Sequence, residues 1–133
     1  MLCSGVFDIL HYGHIRHLEY AKEHGARLIV GLTVDAHVNK GPGRPYFTDM
    51  MRMHVLDSLK IVDEVFFCRN SLEALAMRRP DVYAKGWEYR DKLLKEEVEF
   101  CKDQGIEIVF TSGTPVYSST AILNYFNRGP DIR

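Results

Sequence analysis

The sequence has no excess of either charge and no long apolar run, and each shortage excludes a class of protein. Its 133 residues carry 17 Lys+Arg and 18 Asp+Glu, a formal net charge of −1. This balance argues against nucleic-acid binding through a generally basic surface. No apolar run approaches the roughly 20 residues of a membrane span, and no basic segment followed by an apolar one marks a secretory signal. We therefore expect a cytoplasmic protein that binds neither nucleic acid nor a membrane.

Cysteine is also scarce, with three residues far apart in the chain: Cys3, Cys68 and Cys101. An odd number with no C-x-x-C pair argues against a disulfide framework and a zinc ribbon, so we expect buried thiols. Hydrophobic residues make up 46% and charged residues 26% of the chain, as in ordinary globular proteins. A chain of this length can bury its own core, and we expect one domain over residues 1–133.

Short apolar runs alternate with amphipathic segments along the whole chain. This alternation is typical of βαβ units around a parallel sheet, so the predicted class is α/β with a five-stranded parallel sheet. The predicted strands cover residues 1–4, 27–33, 62–68, 81–84 and 106–111. The predicted helices cover 13–23 with Gly25 as C-cap, 48–60 with Thr48 as N-cap, 71–78, 92–104 ending at Gly105, and a last helix from about 118.

The loop after the first predicted strand, residues 5–14, reads GVFDILHYGH and carries the strongest functional signal. It leads into a helix, and a helix N-terminus offers unpaired N–H groups to an anion. Gly5 and Gly13 allow a ligand to approach the backbone closely. His11 and His14 are three residues apart and share one side of the first helical turn. The pattern predicts a phosphate-binding site.

The same histidines also allow a second interpretation. His11, His14 and His17 follow at three-residue steps, and with Asp8 they could form a transition-metal site. Steps of three drift around a helix, however, so His17 turns away from Asp8, and glycines suit a rigid ligand set poorly. We favour the phosphate interpretation over the metal one.

Four segments in order resemble the motifs of one known family. They are the G-x-F-D-x-L-H-x-G-H run, Arg52 with V-D-E-V at 62–65, D-V-Y-A-K-G at 81–86, and S-S-T-A-I at 118–122. The chain resembles the cytidylyltransferase-like nucleotidyltransferases that carry an H-x-G-H motif. The resemblance implies a Rossmann-like three-layer sandwich of the nucleotidylyl transferase superfamily.

The resemblance also implies an enzyme that transfers a nucleoside monophosphate from a nucleoside triphosphate to a phosphorylated acceptor, releasing pyrophosphate. The implied catalytic residues are His11, His14 and Lys40, which would bind the triphosphate and stabilise the charge of the transition state. Magnesium is expected to arrive with the triphosphate, without a metal site of the protein itself. The implied nucleotide-binding residues are Gly5, Val6, Phe7, Gly13, Arg44, Arg52, Lys85, Gly86, Trp87, Ser118, Ser119 and Thr120.

Several of these residues have plainer interpretations. Lys40 could be a solvated loop lysine, Arg52 a surface arginine and Lys85 part of a turn, while 118–120 could be only a helix cap. The functional interpretation is preferred because these residues follow strand ends, where parallel sheets bind ligands. The charged run 92–99 is expected to be a solvated helix face.

The nucleotide and the acceptor remain open at this point. The loop 40–45 and the segment 82–86 resemble the heptose 1-phosphate adenylyltransferase branch, whereas Trp87 resembles the glycerol-3-phosphate cytidylyltransferase branch. Pro-Val-Tyr at 115–117 replaces an arginine of the glycerol branch, so ATP and a sugar phosphate are favoured over CTP and glycerol 3-phosphate. A non-catalytic nucleotide sensor is the alternative of another class. Family resemblance implies a homodimer, and the short first strand is compatible with a piece of a larger protein.

Overall fold

A five-stranded parallel sheet forms the centre of the fold in the computed structural model, which describes residues 1–86 and 89–111. The strands lie in the order β3-β2-β1-β4-β5 and pair in parallel throughout. This confirms the predicted α/β class with five parallel strands. Strands β1 to β5 span Leu2–Gly5, Ile29–Thr33, Glu64–Cys68, Val82–Gly86 and Glu107–Thr111.

Helices cover both faces of the sheet. Within the described residues, four α-helices, α1 to α4, span Tyr12–Glu23, Asp49–Asp57, Ser71–Arg78 and Lys95–Gln104, and a 3-10 helix spans Asp35–His37. No helix in the described part of the chain is long and apolar enough to span a membrane.

Alternate residues of the central strand β1 face the two helical layers. Leu2 packs into one cluster with Leu75 of α3, and α4 contributes to the same side. Cys3 packs into the other cluster with Leu18 of α1, and α2 contributes there. Because successive side chains of a strand point to opposite faces, one sheet separates two apolar cores. The predicted three-layer sandwich is confirmed.

Strand β2 allows one helix to come unusually close. A Cβ at Gly31 would lie 2.9 Å from the Cβ of Ala74 in α3, and Phe66 and Cys68 would also be within 3.4 Å. Glycine inside a strand often marks such an approach. The pair of small residues therefore sets the distance between α3 and the sheet.

Two helix ends differ from the predicted ends. Helix α1 has His24 as its C-cap in right-handed conformation, so the prediction that Gly25 caps it is wrong. Helix α2 ends at Asp57, three residues early, where Ser58 donates its hydroxyl to the carbonyl of His54 at 2.7 Å. Such a side-chain bond to the preceding turn competes with helix continuation.

The start of α4 also differs from the predicted start, whereas the predicted caps Gly105 and Thr48 are confirmed. Residues 92–94 precede the helix, because Lys92 N–H donates to the carbonyl of Tyr89 at 3.0 Å and closes a turn there. Gly105 ends α4 at φ 70°, as predicted for a left-handed C-cap. Thr48 caps α2 by accepting from Met51 N–H at 3.3 Å. The helix predicted from about residue 118 lies outside the described residues.

Candidate functional site

The candidate site lies where β1 and β4 end side by side in the middle of the sheet. The chain builds β1 to β3 on one side of this point and β4 and β5 on the other, so the strand order reverses here. In open parallel sheets, ligands bind outside the carboxyl ends of the strands at such a point. The segment from Gly5 to His11 leaves β1 here and enters α1.

Helix α1 begins with two histidines that cap it reciprocally. His11 Nδ1 accepts from the N–H of Gly13 at 3.0 Å, and His14 Nδ1 accepts from the N–H of His11 at 3.2 Å. The two rings stack with centroids 3.9 Å apart and planes 25° apart. The bonds satisfy donors that a helix N-terminus otherwise leaves unpaired. The structure thus brings together the two histidines that the sequence singled out.

The capping bonds determine where each imidazole carries its proton. Since Nδ1 accepts a hydrogen bond in both rings, the neutral form of each ring holds its proton on Nε2. Burial, together with repulsion from His11, His17 and Lys40, lowers the pKa of His14 to about 3. Burial also lowers the pKa of His11. Both rings are therefore neutral near pH 7 and keep an Nε2–H donor, which suits phosphate oxygens.

Phe7 supports the histidine pair from the preceding loop. Its ring centroid lies 5.3 Å from that of His14, and the residue is buried. Its backbone has φ 53°, a left-handed conformation that costs free energy for a residue with a side chain and is found at functional sites. A Cβ at Gly5 would lie 3.2 Å from this ring, which explains the glycine.

Asp8 connects this loop to the Gly/Pro loop at 39–47. Its side chain is fully buried, and its carboxylate accepts from Phe47 N–H at 3.1 Å and from Tyr46 N–H at 2.5 Å. Arg44 Nε donates to the same carboxylate at 3.4 Å, and Arg44 Nη2 donates to the carbonyl of Asp8. Asp8 is thus occupied by protein donors.

These contacts bear on the metal interpretation. Asp8 faces the Gly/Pro loop, and His17 Nδ1 is hydrogen-bonded to Thr111 Oγ1 at 2.8 Å. Within residues 1–86 and 89–111, no group of three or more His, Cys, Asp and Glu side chains is placed to hold a metal ion. The described residues favour the phosphate interpretation of the histidines.

The side chain of Arg52 is buried and hydrogen-bonded to protein groups, whereas the sequence predicted a nucleotide-binding residue. Its side chain is 1% exposed, and four of its N–H groups point at protein acceptors. These acceptors are the carbonyls of Val6, Thr33 and Phe47, at 2.9–3.0 Å, and the carboxylate of Asp35, at 2.7 Å. Arg52 therefore joins the loops that follow β1 and β2 to the end of the Gly/Pro loop, a role that the sequence did not reveal.

The other two predicted cations of this region differ from each other. The Arg44 side chain is buried at 6% exposure against Asp8, whereas Lys40 is an exposed residue. Partial desolvation lowers the pKa of Lys40, the Arg44 cation lowers it further, and Asp8 opposes the change. Lys40 in turn lowers the pKa of His14. Lys40 is thus close enough to His14 to disfavour its protonated form.

The end of β4 places Lys85 and Gly86 at the same edge of the sheet as Gly5. Lys85 Nζ lies 4.3 Å from the ring centroid of Tyr89 and 5.7 Å from that of Tyr83, within the range of a cation–π contact. The other predicted nucleotide-binding residues, Trp87, Ser118, Ser119 and Thr120, lie outside the described residues.

A buried polar network lies on the face of the sheet opposite α1, and the sequence did not reveal it. Ser4 Oγ is 2.8 Å from Ser71 Oγ and 3.5 Å from the hydroxyl of Tyr83, which donates to Glu97 at 2.7 Å. Burial and the Glu97 carboxylate raise the pKa of Tyr83 well above its usual range. The prediction of a solvated helix face at 92–99 is wrong for Glu97, which is 4% exposed.

The strand order and the loop after β1 define a Rossmann-like nucleotide-binding domain. Residues 2–124 match the family model described as cytidylyltransferase-like. The chain belongs to this family of nucleotidyltransferases, which confirms the resemblance drawn from its motifs.

Two curated relatives carry the name bifunctional protein HldE. The protein from Hyphomonas neptunium is 41% identical over 125 residues, covering 90% of this chain and 25% of the relative. That from Azotobacter vinelandii is 39% identical over 132 residues, covering 96% and 27%. The chain therefore spans about a quarter of the length of the relatives it matches.

Solved structures give the same fold. A lipopolysaccharide core biosynthesis protein from Thermoplasma volcanium is similar at a TM-score of 0.71 and 29% identity, covering 85% of this chain and 95% of that one. Pantothenate synthetase from Thermus thermophilus is similar at a TM-score of 0.66 over 91% of this chain and 60% of that one. Its 14% identity supports the fold alone.

Proposed function

We propose that the chain transfers the nucleoside monophosphate of a nucleoside triphosphate to a sugar phosphate. An oxygen of the acceptor phosphate forms a bond to the α-phosphorus while the bond from that phosphorus to the bridging oxygen breaks. The electron pair leaves with pyrophosphate. The observation that carries the proposal is the stacked pair His11 and His14 at the N-terminus of α1. The Nδ1 atom of each ring accepts a backbone N–H, which leaves the Nε2–H of each neutral ring as a donor.

The proposed catalysis relies on position and charge. His11 and His14 bind the triphosphate and stabilise the five-coordinate phosphorus, and Lys40 neutralises charge that develops on pyrophosphate. The N–H groups of residues 5–7 and of the first turn of α1 supply further donors. Magnesium would be supplied with the triphosphate and would offset part of its negative charge. Ser119 and Thr120 are proposed to bind the β- and γ-phosphates.

ATP and heptose 1-phosphate are the proposed substrates. The resemblance of the segments 40–45 and 82–86 to the sugar-phosphate branch supports this choice, as does the 41% identity to a bifunctional protein HldE. The similar structure from Thermoplasma volcanium, at a TM-score of 0.71, is named for lipopolysaccharide core biosynthesis. Lys85 and Trp87 are proposed to line the nucleoside or acceptor pocket. The enzyme is proposed to act in the cytoplasm, where its nucleotide is supplied.

A homodimer is part of the same proposal. Tyr46, Met50, Met51 and Val55 are between 46% and 66% exposed on α2 and the loop before it. A group of large apolar side chains exposed together often marks a protein interface. Light scattering tests this: twice the mass of the 15.3 kDa chain is expected, and a single-chain mass would contradict the dimer.

The function is tested by following pyrophosphate release. ATP, CTP, GTP and UTP are each offered with heptose 1-phosphate, other sugar phosphates and glycerol 3-phosphate, in the presence of magnesium. The expected result is release with ATP and heptose 1-phosphate. Release only with CTP and glycerol 3-phosphate would overturn the substrate assignment, and nucleotide binding without release from any pair would indicate a sensor.

A further inference from the structure

Asp8 and Arg44 form a buried connection between the loop that carries the histidines and the loop that carries Lys40. We propose that Asp8 and Arg44 are positioning residues, which hold Lys40 in place near His14. The inference rests on the proposed function, because Lys40 is there the group that binds the leaving pyrophosphate.

The connection consists of four hydrogen bonds to one residue. The carboxylate of Asp8 accepts from the backbone of Tyr46 and Phe47 and from Arg44 Nε, and the Asp8 carbonyl accepts from Arg44 Nη2. The Asp8 side chain is 0% exposed and that of Arg44 is 6% exposed, so water does not compete for these bonds. Buried bonds to a charged group stabilise more than exposed ones.

A short turn transmits this fixation from Arg44 to Lys40. The N–H of Arg44 donates to the carbonyl of Gly41 at 3.3 Å, and Gly41 and Gly43 have φ of 90° and 77°. Left-handed values of this size favour glycine and close the turn within four residues. Lys40 directly precedes the turn, so a shift of Arg44 displaces Lys40 as well.

The rest of the loop lacks regular secondary structure. Residues 39–47 form no helix or strand, and Arg52 holds only the carbonyl of Phe47 at their far end. Arg44 pairs directly with the Asp8 carboxylate, whereas Lys40 lies four residues earlier in the same loop. The Arg44 cation contributes to the lowered pKa of Lys40, and Asp8 opposes this change. Both effects agree with a position of Lys40 near these two residues.

A double-mutant cycle tests the proposal against a merely structural role. Lys40→Met is expected to lower kcat by about 10²–10³-fold, and Asp8→Asn by about 10²-fold through misplacement of the lysine. If Asp8 acts through Lys40, the double variant loses no more than Lys40→Met alone. Losses that multiply in the double variant, or a normal kcat in Asp8→Asn, would overturn the proposal. Asp91→Asn, at a carboxylate that is 85% exposed, is the matched control and keeps normal kcat.

A second measurement does not depend on the reaction. Trypsin is expected to cleave the folded chain after Lys40, which is exposed in a loop, while Pro45 protects the bond after Arg44. Asp8→Asn is expected to speed cleavage at Lys40 by about tenfold because the loop opens more often, with Asp91→Asn cleaved like the wild type. If the wild type releases no pyrophosphate with any substrate pair, the proposed function fails and cleavage alone decides the inference. An active enzyme with unchanged cleavage and kcat in Asp8→Asn overturns the inference and leaves the function standing.

Discussion

The rings of His11 and His14 stack 3.9 Å apart, and each uses its Nδ1 to accept a backbone N–H of the first turn of α1. Helix N-caps are usually Ser, Thr, Asp or Asn, whose oxygens do the same. Here the residues that cap the helix are also the proposed phosphate ligands. The start of the helix and the geometry of the site are therefore set by the same two side chains.

The first prediction concerns the protons of these rings. At pH 7 both imidazoles are expected to be neutral with the proton on Nε2, because each Nδ1 accepts a hydrogen bond. Two-bond and three-bond ¹H–¹⁵N correlation spectra of labelled protein distinguish the tautomers. A proton on Nδ1 of either ring would contradict the capping arrangement. His24, at the other end of α1, serves as the contrast, because its Nδ1 lies 3.0 Å from the carbonyl of Tyr20 and carries the proton that this carbonyl accepts.

The second prediction concerns stability at acid pH. The pKa of His14 is about 3 in the folded chain and near 6.5 when unfolded, so between these values the unfolded chain binds the extra proton. Stability from the neutral ring is thus present above pH 6.5 and is lost as pH falls toward 3. Urea unfolding is expected to show a loss of about 1 kcal/mol on going from about pH 7.5 to about 5.5. In His14→Asn this loss of unfolding free energy with falling pH should shrink. A loss as large as that of the wild type would refute the lowered pKa of His14.

The third prediction concerns turnover. His14→Ala is expected to lower kcat by about 10²–10³-fold, because it removes a donor to the transition state. It also removes the acceptor of His11 N–H, so the free energy of unfolding should fall by about 1 kcal/mol. Assays of pyrophosphate release below the melting temperature separate the two effects. His24→Ala, on the same helix, should keep normal turnover, and His14→Ala with near-normal kcat would disprove the role of His14.

The fourth prediction concerns Arg52. Arg52→Met is expected to cost about 3 kcal/mol of unfolding free energy, because it leaves buried acceptors without donors. Arg16→Ala is the control, since the Arg16–Glu19 pair is 61% and 46% exposed and such pairs are worth less than about 1 kcal/mol. Urea denaturation of both variants measures the difference. Equal, small losses would mean that Arg52 does not hold the loops together.

The fifth prediction concerns the close approach of α3 to the sheet. Gly31→Ala is expected to destabilise by about 1–3 kcal/mol, because its Cβ would overlap Ala74 at 2.9 Å. Adding Ala74→Gly removes the overlapping atom and should recover part of the loss. Thermal melts of the single and double variants make the comparison. A double variant whose loss of stability equals or exceeds the sum of the two single losses would contradict this account.

The sequence predicts those features that depend on nearby residues. The order of strands and helices follows from local apolar patterns, and the meeting of His11 and His14 follows from their spacing of three. The contacts of Asp8 and Arg52 join residues that are far apart in the chain. Arg44 lies 36 residues from Asp8, and Val6 lies 46 residues from Arg52. Nothing local distinguishes a surface arginine from one turned inward. Such roles need the folded chain.

The reaction of the three buried cysteines with thiol reagents can report local unfolding of the domain. All three are buried; burial raises the pKa of Cys3 to about 12 and that of Cys68 to about 11, and it also raises that of Cys101. Thiol reagents attack the thiolate, which is almost absent in the closed protein near neutral pH. Labelling therefore counts opening events: modification of Cys101 marks departure of α4, whereas modification of Cys3 requires rupture of the central strand. The order of labelling would map which part of the domain opens first.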